Sequence, residues 1–299
     1  MNMEGALWLK DPKSVSEIRH SEFYKNMTNA YDSPMLHIHF RKDYPIALNS
    51  ILYIPKYHSE KYGNARMKPG VSLYSKKVLI QKNSTELLPD WMRFVKGVAD
   101  SEDLNLNISR DSTQSKSTLS RIGSILTKTL IARLKETIKN DPTKYEQFYE
   151  EYALFLKEGV CTDSENKDAL APLLKFDSSK IDNKSKKKLE DKNDDLKSSE
   201  SSKEKISSLK EKISGRTFDD YVGAMDGQQT KIYYLVTSNR SAAENSPYFE
   251  SFKKKGREVL FLYTPIDEFV MQGLGSYKNR KLVSIESAKL DEEDMDQFD

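Results

Sequence analysis

The stretch KIYYLVTSNRSAAENSPYFESFKKKGREVLFLYT, residues 231–264, decides the fold class of this sequence. Residues 231–237 and 257–264 are apolar runs rich in aromatic and branched side chains, and they predict two buried strands. A helix is predicted between them over residues 246–255, and a further helix and a last strand follow. This alternation predicts a small α/β unit in which helices cover a parallel or mixed sheet.

The first half of the chain begins with strand-like patterns. Period-two apolar positions predict strands over residues 35–40 and 46–54, which are joined by a turn, and a third strand over residues 71–81. The apolar residues from Trp91 to Val98 recur at helical spacing, so a helix is predicted there.

Two longer helices follow in the same half. Apolar residues at i+3 and i+4 predict an amphipathic helix over residues 113–140. Asp141 and Pro142 then cap and open a second helix, which stacks aromatic side chains on one face and is expected to stop at Gly159. The first half is therefore expected to be a larger unit in which strands precede helices.

Composition changes at residues 178–214, which contain no aromatic residue and consist mainly of lysine, serine and acidic residues. Such a segment cannot bury enough apolar surface to offset its chain entropy. We therefore interpret it as a charged, disordered or loosely helical insert.

Whole-chain composition excludes several classes of protein. The formal net charge is only +2, which gives no strong overall field toward nucleic acid or anionic lipid. A single cysteine, Cys161, excludes an intrachain disulfide and any multi-cysteine zinc site. No apolar run approaches the roughly 20 residues that span a bilayer, and the N-terminus has no targeting pattern. With a mean hydropathy of -0.72, the chain is expected to be soluble.

Two local motifs favour ordinary structural explanations. His37 and His39 lie on one face of a predicted strand, but no third ligand is near in sequence, so solvent-facing residues are favoured over a metal site. Lys76 and Lys77 interrupt an apolar strand, which fits either an exposed edge or a polar rim around an interface patch that contains Leu79. We expect no metal site.

Arg110 lies between a short alternating run and the long helix, where a loop can direct its side chain outward. Asn107, Ser109 and Gln114 surround it with further polar groups. A guanidinium with such neighbours is well suited to a phosphate. The sequence has neither a Walker loop nor a kinase signature, so such a phosphate would have to be held elsewhere.

Several motifs resemble the middle segment of the heat-shock protein 90 chaperone family. They are SLYSKKVLIQ (residues 72–81), LLPDWMRFVKGVADSEDLNLNISRD (87–111), KYEQFYEEYALFLKEGV (144–160), residues 231–269 and NRKLVSIES (279–287). Within the family, the sequence is most similar to the mitochondrial paralogue. Asp111 stands where the family usually has Glu, and Asn105 where it usually has Pro.

The resemblance implies roles for individual residues. Arg110 matches the arginine that the middle segment lends from a catalytic loop to the γ-phosphate of ATP, and Asn107 and Gln114 match the residues that support it. Lys76 and Leu79 match positions that contact the N-terminal domain. Tyr31 matches an exposed aromatic position that is linked to client contact in other members.

The resemblance also implies an organisation. The fold would be α/β (α+β), with a larger α-β-α layered unit like domain 2 of ribosomal protein S5, a helical connector and a smaller α-β-α unit. The expected boundaries are a lead-in (1–30), the large unit with the catalytic loop (31–160), the connector (161–177), the charged insert (178–214), the small unit (215–290) and an acidic tail (291–299).

ATP and Mg²⁺ are then expected only in the full-length protein, bound by a separate N-terminal domain, so this part alone would be inactive and monomeric. Partners would be client proteins, the N-terminal ATPase domain, a C-terminal domain that forms the homodimer, and co-chaperones, with no nucleic acid or membrane. The mitochondrial matrix is the expected compartment and the cytoplasm the alternative. A nucleic-acid-binding module and an inert structural scaffold are the competing functions.

Overall fold

The computed structural model describes residues 6–63, 65–104, 113–181 and 215–288. The chain divides into two compact units, with the boundary between Asn166 and Lys167. Both units combine a β-sheet with helices, which confirms the predicted α/β class.

The first unit contains a mixed sheet with the strand order β1-β2-β5-β3-β4 among the described residues. Its strands are β1 (Leu36–Lys42), β2 (Leu48–Ile54), β3 (Gly70–Ser75), β4 (Val78–Gln81) and β5 (Lys96–Ser101). Only the β3–β5 pair is parallel, and the other neighbours are antiparallel. Because β5 lies in the middle of the sheet, both of its edges are hydrogen-bonded.

One predicted strand is two strands in the structure. Residues 71–81 form the β3–β4 hairpin, with a turn at Lys76 and Lys77. The two lysines adopt φ angles of 48° and 69°, a left-handed conformation that turns usually assign to Gly or Asn. The backbone N–H of Lys77 donates to Asp100 Oδ2 at 3.1 Å, a contact across the sheet that the local sequence does not reveal.

The helix predicted from Trp91 to Val98 is wrong. A short 3-10 helix covers Asp90–Met92, and β5 then begins at Lys96. The strand is buried on both faces, so its apolar residues do not alternate with polar ones. Gly97 allows β5 to lie close to β2, because a Cβ at this position would lie 2.2 Å from the backbone oxygen of Ile51.

Helices α1 (Glu17–Thr28), α2 (Thr113–Asn140) and α3 (Pro142–Thr162) belong to the first unit, with 3-10 turns at Leu7–Leu9, Pro12–Ser14 and Ser59–Tyr62. The bounds of α2 agree with the prediction. Asp141 caps α3 by accepting from the N–H of Lys144 at 3.0 Å, as expected. The helix continues past Gly159, which is buried inside its last turn.

The second unit contains a mixed sheet, as predicted. In the described part of the chain its strand order is β10-β11-β8-β9-β6-β7. Its strands are β6 (Lys175–Ser178), β7 (Arg216–Thr217), β8 (Lys231–Val236), β9 (Leu260–Leu262), β10 (Ser276–Tyr277) and β11 (Arg280–Ser284). Its helices are α4 (Lys167–Leu170), α5 (Phe218–Gly223), α6 (Arg240–Glu244), α7 (Pro247–Lys254) and α8 (Pro265–Leu274), with a 3-10 turn at Ala171–Leu173.

The proposed connector and insert differ from the structure at their shared boundary. Residues 175–178 form β6, which pairs with β9 and with β7. Glu258, which is buried, accepts hydrogen bonds from Ser178 and from Arg216, whose Nε lies 2.8 Å from a carboxylate oxygen. Ser178 and Arg216, which lie on either side of residues 182–214, therefore bind the same carboxylate. Residues 182–214 lie outside the described structure.

No helix among the described residues is long and apolar enough to cross a membrane. In the same part of the chain, no group of three or more His, Cys, Asp or Glu side chains could hold a metal ion. Cys161 is a free, exposed thiol.

Candidate functional site

The segment around Arg110 is bounded on both sides by structure. Asn107 and Arg110 lie outside the described residues, and Gln114 lies in the first turn of α2. The predicted arrangement of these three side chains therefore stays a prediction. The structure describes the residues that flank 105–112, which are the end of the first sheet up to Leu104 and helix α2 from Thr113.

The departure point is held by two long-range hydrogen bonds. The hydroxyl of Ser75, at the end of β3, donates to the backbone oxygen of Leu104 at 2.6 Å. Asp103 accepts from the backbone N–H of Ala47 at 2.8 Å. Leu104 is itself buried, so the chain enters residues 105–112 from a fixed position.

Asp100, near the end of β5, links this strand to Trp8 and to the β3–β4 turn. Its Oδ2 accepts from the indole N–H of Trp8 at 2.8 Å and from the backbone N–H of Lys77 at 3.1 Å. The residue is only 2% exposed, and its Oδ1 has no hydrogen-bond partner among the described residues. Asp100 and Lys76 line a recess of about 320 Å³ beside the hairpin turn. A buried carboxylate thus fixes the turn next to the end of β5.

The hairpin presents apolar side chains to solvent. Val78 and Leu79 are 52% and 47% exposed, and both lie in the edge strand β4. Lys76 is exposed in the turn that precedes them. An exposed apolar pair beside a basic residue has the composition of a contact surface. Both interpretations of the sequence, an exposed edge and the rim of an interface patch, are compatible with this arrangement.

Tyr31 and Leu79 line one open groove of about 1280 Å³ on the first unit, here called the groove. Tyr31 is 99% exposed and Tyr57, which also lines the groove, is 64% exposed. Two residues to which we assigned different roles therefore share a surface. Lys76 lines the smaller recess described above instead.

His37 and His39 are not the solvent-facing residues that the sequence predicted. His37 stacks on His20 of α1, with ring centroids 4.1 Å apart, and the ring of His39 lies 5.4 Å from His20. These three residues form the histidine cluster. His20 Nδ1 is 3.0 Å from the hydroxyl of Tyr53, whose side chain is fully buried. The cluster is a packing contact between α1 and the sheet.

Burial and mutual repulsion disfavour the charged imidazoles in this cluster. Burial, followed by the neighbouring charges of His37 and His39, lowers the pKa of His20 to about 4. The pKa values of His37 and His39 are also lowered, in each case chiefly by burial. Glu17, 3.4 Å from His37 Nδ1, opposes this shift for His37.

Sequence reasoning missed two residues of this unit, for different reasons. Asp100 follows an apolar run in VADSED, and an acidic residue at that point was the available signal. His20 had no such signal, because only the packing of α1 brings it against His37.

Known proteins resemble this chain over nearly its whole length. A model of the Hsp90 protein family matches residues 1–202 and 200–298. The chain is 41% identical over 286 residues to the mitochondrial TNF receptor-associated protein 1 homolog of Dictyostelium discoideum, covering 96% of this chain and 37% of that protein.

Two other relatives are similar over comparable lengths. The chaperone protein HtpG of Desulfitobacterium hafniense is 36% identical, over 99% of this chain and 44% of that protein. The mitochondrial heat shock protein 75 kDa of Rattus norvegicus is 36% identical, over 96% of this chain and 37% of that protein. The chain belongs to the Hsp90 protein family. It spans about two fifths of the length of these relatives.

Proposed function

We propose that this chain is the middle segment of an ATP-dependent chaperone of the Hsp90 type. The observation that carries the proposal is the match of nearly the whole chain to family members of which it covers about two fifths. The names of those relatives include the words chaperone and heat shock protein. In this proposal the chain assists folding by offering surface to client proteins and by completing the ATPase.

Arg110 is the residue through which the chain would act on ATP. ATP and Mg²⁺ would be bound by a separate N-terminal domain, and the guanidinium would contact the γ-phosphate. A fixed positive charge at that point stabilises the negative charge that develops during phosphoryl transfer. The anchored departure point at Leu104 and Asp103 supports this role, because charge stabilisation depends on a pre-positioned donor.

The exposed hairpin would then contact the N-terminal domain through Leu79, with Lys76 at its rim. Asp100 would keep the hairpin turn close to the point where residues 105–112 leave the sheet. Asn107 and Gln114 would support the arginine by hydrogen bonding. The groove, which contains Tyr31, would receive clients.

The compartment and assembly are part of the same proposal. Relatives from Dictyostelium discoideum and Rattus norvegicus carry the word mitochondrial in their names, which favours the mitochondrial matrix over the cytoplasm. The homodimer would form through a C-terminal domain. A net charge of +2 gives no specific support to a nucleic-acid-binding module.

The arginine assignment is tested in the full-length protein that carries this chain. Arg110→Ala is expected to reduce ATP turnover at least about tenfold while ATP affinity stays within about twofold, because an arginine supplied to phosphoryl transfer can contribute up to roughly 10³ to 10⁵ in rate. Arg121→Ala is the matched control, since Arg121 is exposed on α2. Unchanged turnover in a folded Arg110→Ala protein would contradict the assignment and support a structural scaffold.

A further inference from the structure

Lys96 is a charged residue at an unusual position in the first unit. It is the first residue of the central strand β5, where it pairs with Tyr53 on one side and with Gly70 on the other. Its side chain is half-buried and lines the groove. Lysine is seldom placed at the centre of a sheet, because its ammonium group must keep contact with water or a counter-ion.

A slot above Gly70 holds the stem of this side chain. A Cβ built on Gly70 would lie 2.1 Å from Lys96 Cδ and 2.7 Å from Nζ. The lysine stem therefore occupies the space that any other residue would take at position 70. In this position Nζ donates to the backbone oxygen of Lys68, at a long distance of 3.3 Å.

Among the described residues, the amine in this slot has no acidic partner. No carboxylate of the described residues lies within 4.0 Å of Lys96 Nζ, although many other cations of this unit are paired, such as Lys61 with Glu151. Burial alone lowers the pKa of Lys96, with no opposing contribution from a nearby negative charge. A larger share of this amine than of an ordinary lysine is therefore neutral near neutral pH, and only the neutral amine is nucleophilic.

We propose that Lys96 is a covalent modification site, at which the amine in the Gly70 slot accepts an acyl group from an acyl thioester that enters the groove. The neutral nitrogen attacks the thioester carbonyl carbon, and the C–N bond forms as the C–S bond breaks. The thiol leaves with the proton that the nitrogen loses, and Lys96 becomes a neutral amide. The step needs no oxidant or reductant.

The rest of the groove suits a thioester on a phosphate-bearing carrier. Lys68 and Lys82 are exposed cations that line it and would attract phosphate groups. Met27 and Tyr74, which are partly exposed, add apolar and aromatic surface for the carrier and the acyl chain. Acylation would remove the positive charge of Lys96 and fill part of the surface that contains Tyr31 and Leu79. This inference does not depend on the role of Arg110.

The test is acylation of the whole chain by acetyl coenzyme A, followed by quantitative peptide mass spectrometry. At about pH 8, Lys96 is expected to be acetylated at least about fivefold faster than Lys68 and Lys82, because each unit by which a pKa falls raises the neutral amine about tenfold in this range. The excess should shrink as pH rises toward about 10, where ordinary lysines also lose their proton. An equal or slower rate at Lys96 at pH 8 overturns the proposal.

Gly70→Ala is the sharpest variant, because the three atoms nearest to the added methyl group all belong to the flexible side chain of Lys96. It is expected to displace the amine toward solvent and to bring its acetylation rate down to that of Lys82, while the rate at Lys82 itself stays unchanged. A persistent excess at Lys96 in a folded Gly70→Ala protein would refute the slot as the cause. The pH series on the unmodified chain decides the proposal even if the variant fails to fold.

Discussion

Acid should loosen the contact between α1 and the first sheet through the histidine cluster. In the folded chain the pKa of His20 is about 4, whereas an unfolded histidine has a pKa of about 6.5. A group whose pKa is lowered by folding contributes its full stability above the unfolded value. That contribution is lost as pH falls through about 6.5 toward the folded value. Stability should therefore decline between about pH 7 and pH 5.

The size of the effect follows from the two pKa values. A difference between about 6.5 and about 4 corresponds to a ceiling of about 3 kcal/mol for His20 at low pH, and about 2 kcal/mol of it is lost by pH 5. Screening by solvent at the edge of the cluster reduces this to about 1–2 kcal/mol. His37 and His39 act in the same direction.

The charged and titrating groups around the cluster determine whether the pKa of each histidine is raised or lowered. Glu17 of α1 attracts a proton to His37, while Lys144 and Arg133 repel one. Asp11 and the backbone of Trp8 favour protonation of His39. Tyr53 beside His20 has a raised pKa, chiefly because it is buried, so it stays neutral throughout this range. Burial outweighs the two acids, since the net shift of every cluster histidine is downward.

Urea unfolding followed by tryptophan fluorescence measures the effect. The two tryptophans, Trp8 and Trp91, both lie in the first unit, so the signal reports on the unit that contains the cluster. His20→Gln should flatten the loss of stability between about pH 7 and pH 5 by about 1–2 kcal/mol. His58→Gln is the control, because it removes the one histidine outside the cluster. Parallel pH profiles for unmodified chain and His20→Gln would refute the reasoning.

Two further changes probe packing and surface. Arg93 is 3% exposed in its side chain and binds Glu60 at 2.8 and 3.0 Å and Glu158 at 2.8 Å. Arg93→Met should therefore cost about 3–5 kcal/mol in urea unfolding, because Glu60 loses its guanidinium partner and Glu158 keeps only Arg66. Arg133→Met, at an exposed i,i+3 pair, should cost under about 1 kcal/mol, and equal losses would contradict this view. Tyr31→Ala, at a 99% exposed side chain, should leave stability unchanged but weaken suppression of client aggregation by the full-length protein about twofold or more. Tyr44→Ala, at a side chain 88% exposed in the β1–β2 turn, is its control, and an equal effect of both would argue against a client site in the groove.

Helix α2 shows how far periodicity alone can reach. Its bounds, Thr113–Asn140, agree with the apolar spacing at i+3 and i+4, because one face of this helix is buried and the other is wet. The cap of α3 at Asp141 is equally local, since the side chain bonds to a backbone N–H three residues later. Where an element is stabilised by residues that are close in sequence, the residue pattern was sufficient to predict it.

Strand β5 and the hairpin turn show where such patterns fail. In β5 every residue after Lys96 is buried, so neither helical nor period-two alternation can identify it. At the turn, Lys76 and Lys77 adopt left-handed backbone angles while a side chain from another strand accepts a hydrogen bond from Lys77. Both features depend on neighbours that are distant in sequence, so local residue propensities cannot predict them.

The candidate site also has features that the sequence predicted and features that only the structure shows. The motifs around Arg110, Lys76 and Leu79 were sufficient to suggest the family, which the family match confirms. The sequence alone did not show that Tyr31 and Leu79 share a groove, that Asp100 ties Trp8 to the hairpin, or that Lys96 lies in a slot over Gly70.

The sequence by itself determined the α/β class, the long helices and the family, because each rests on local apolar periodicity, capping or contiguous motifs. The tertiary structure decided the histidine cluster, the buried carboxylate of Asp100 and the half-buried amine of Lys96. In each of these a polar group is brought against residues from other strands or helices. The lowered pKa values of the three histidines and of Lys96 follow chiefly from burial, which exists only after folding.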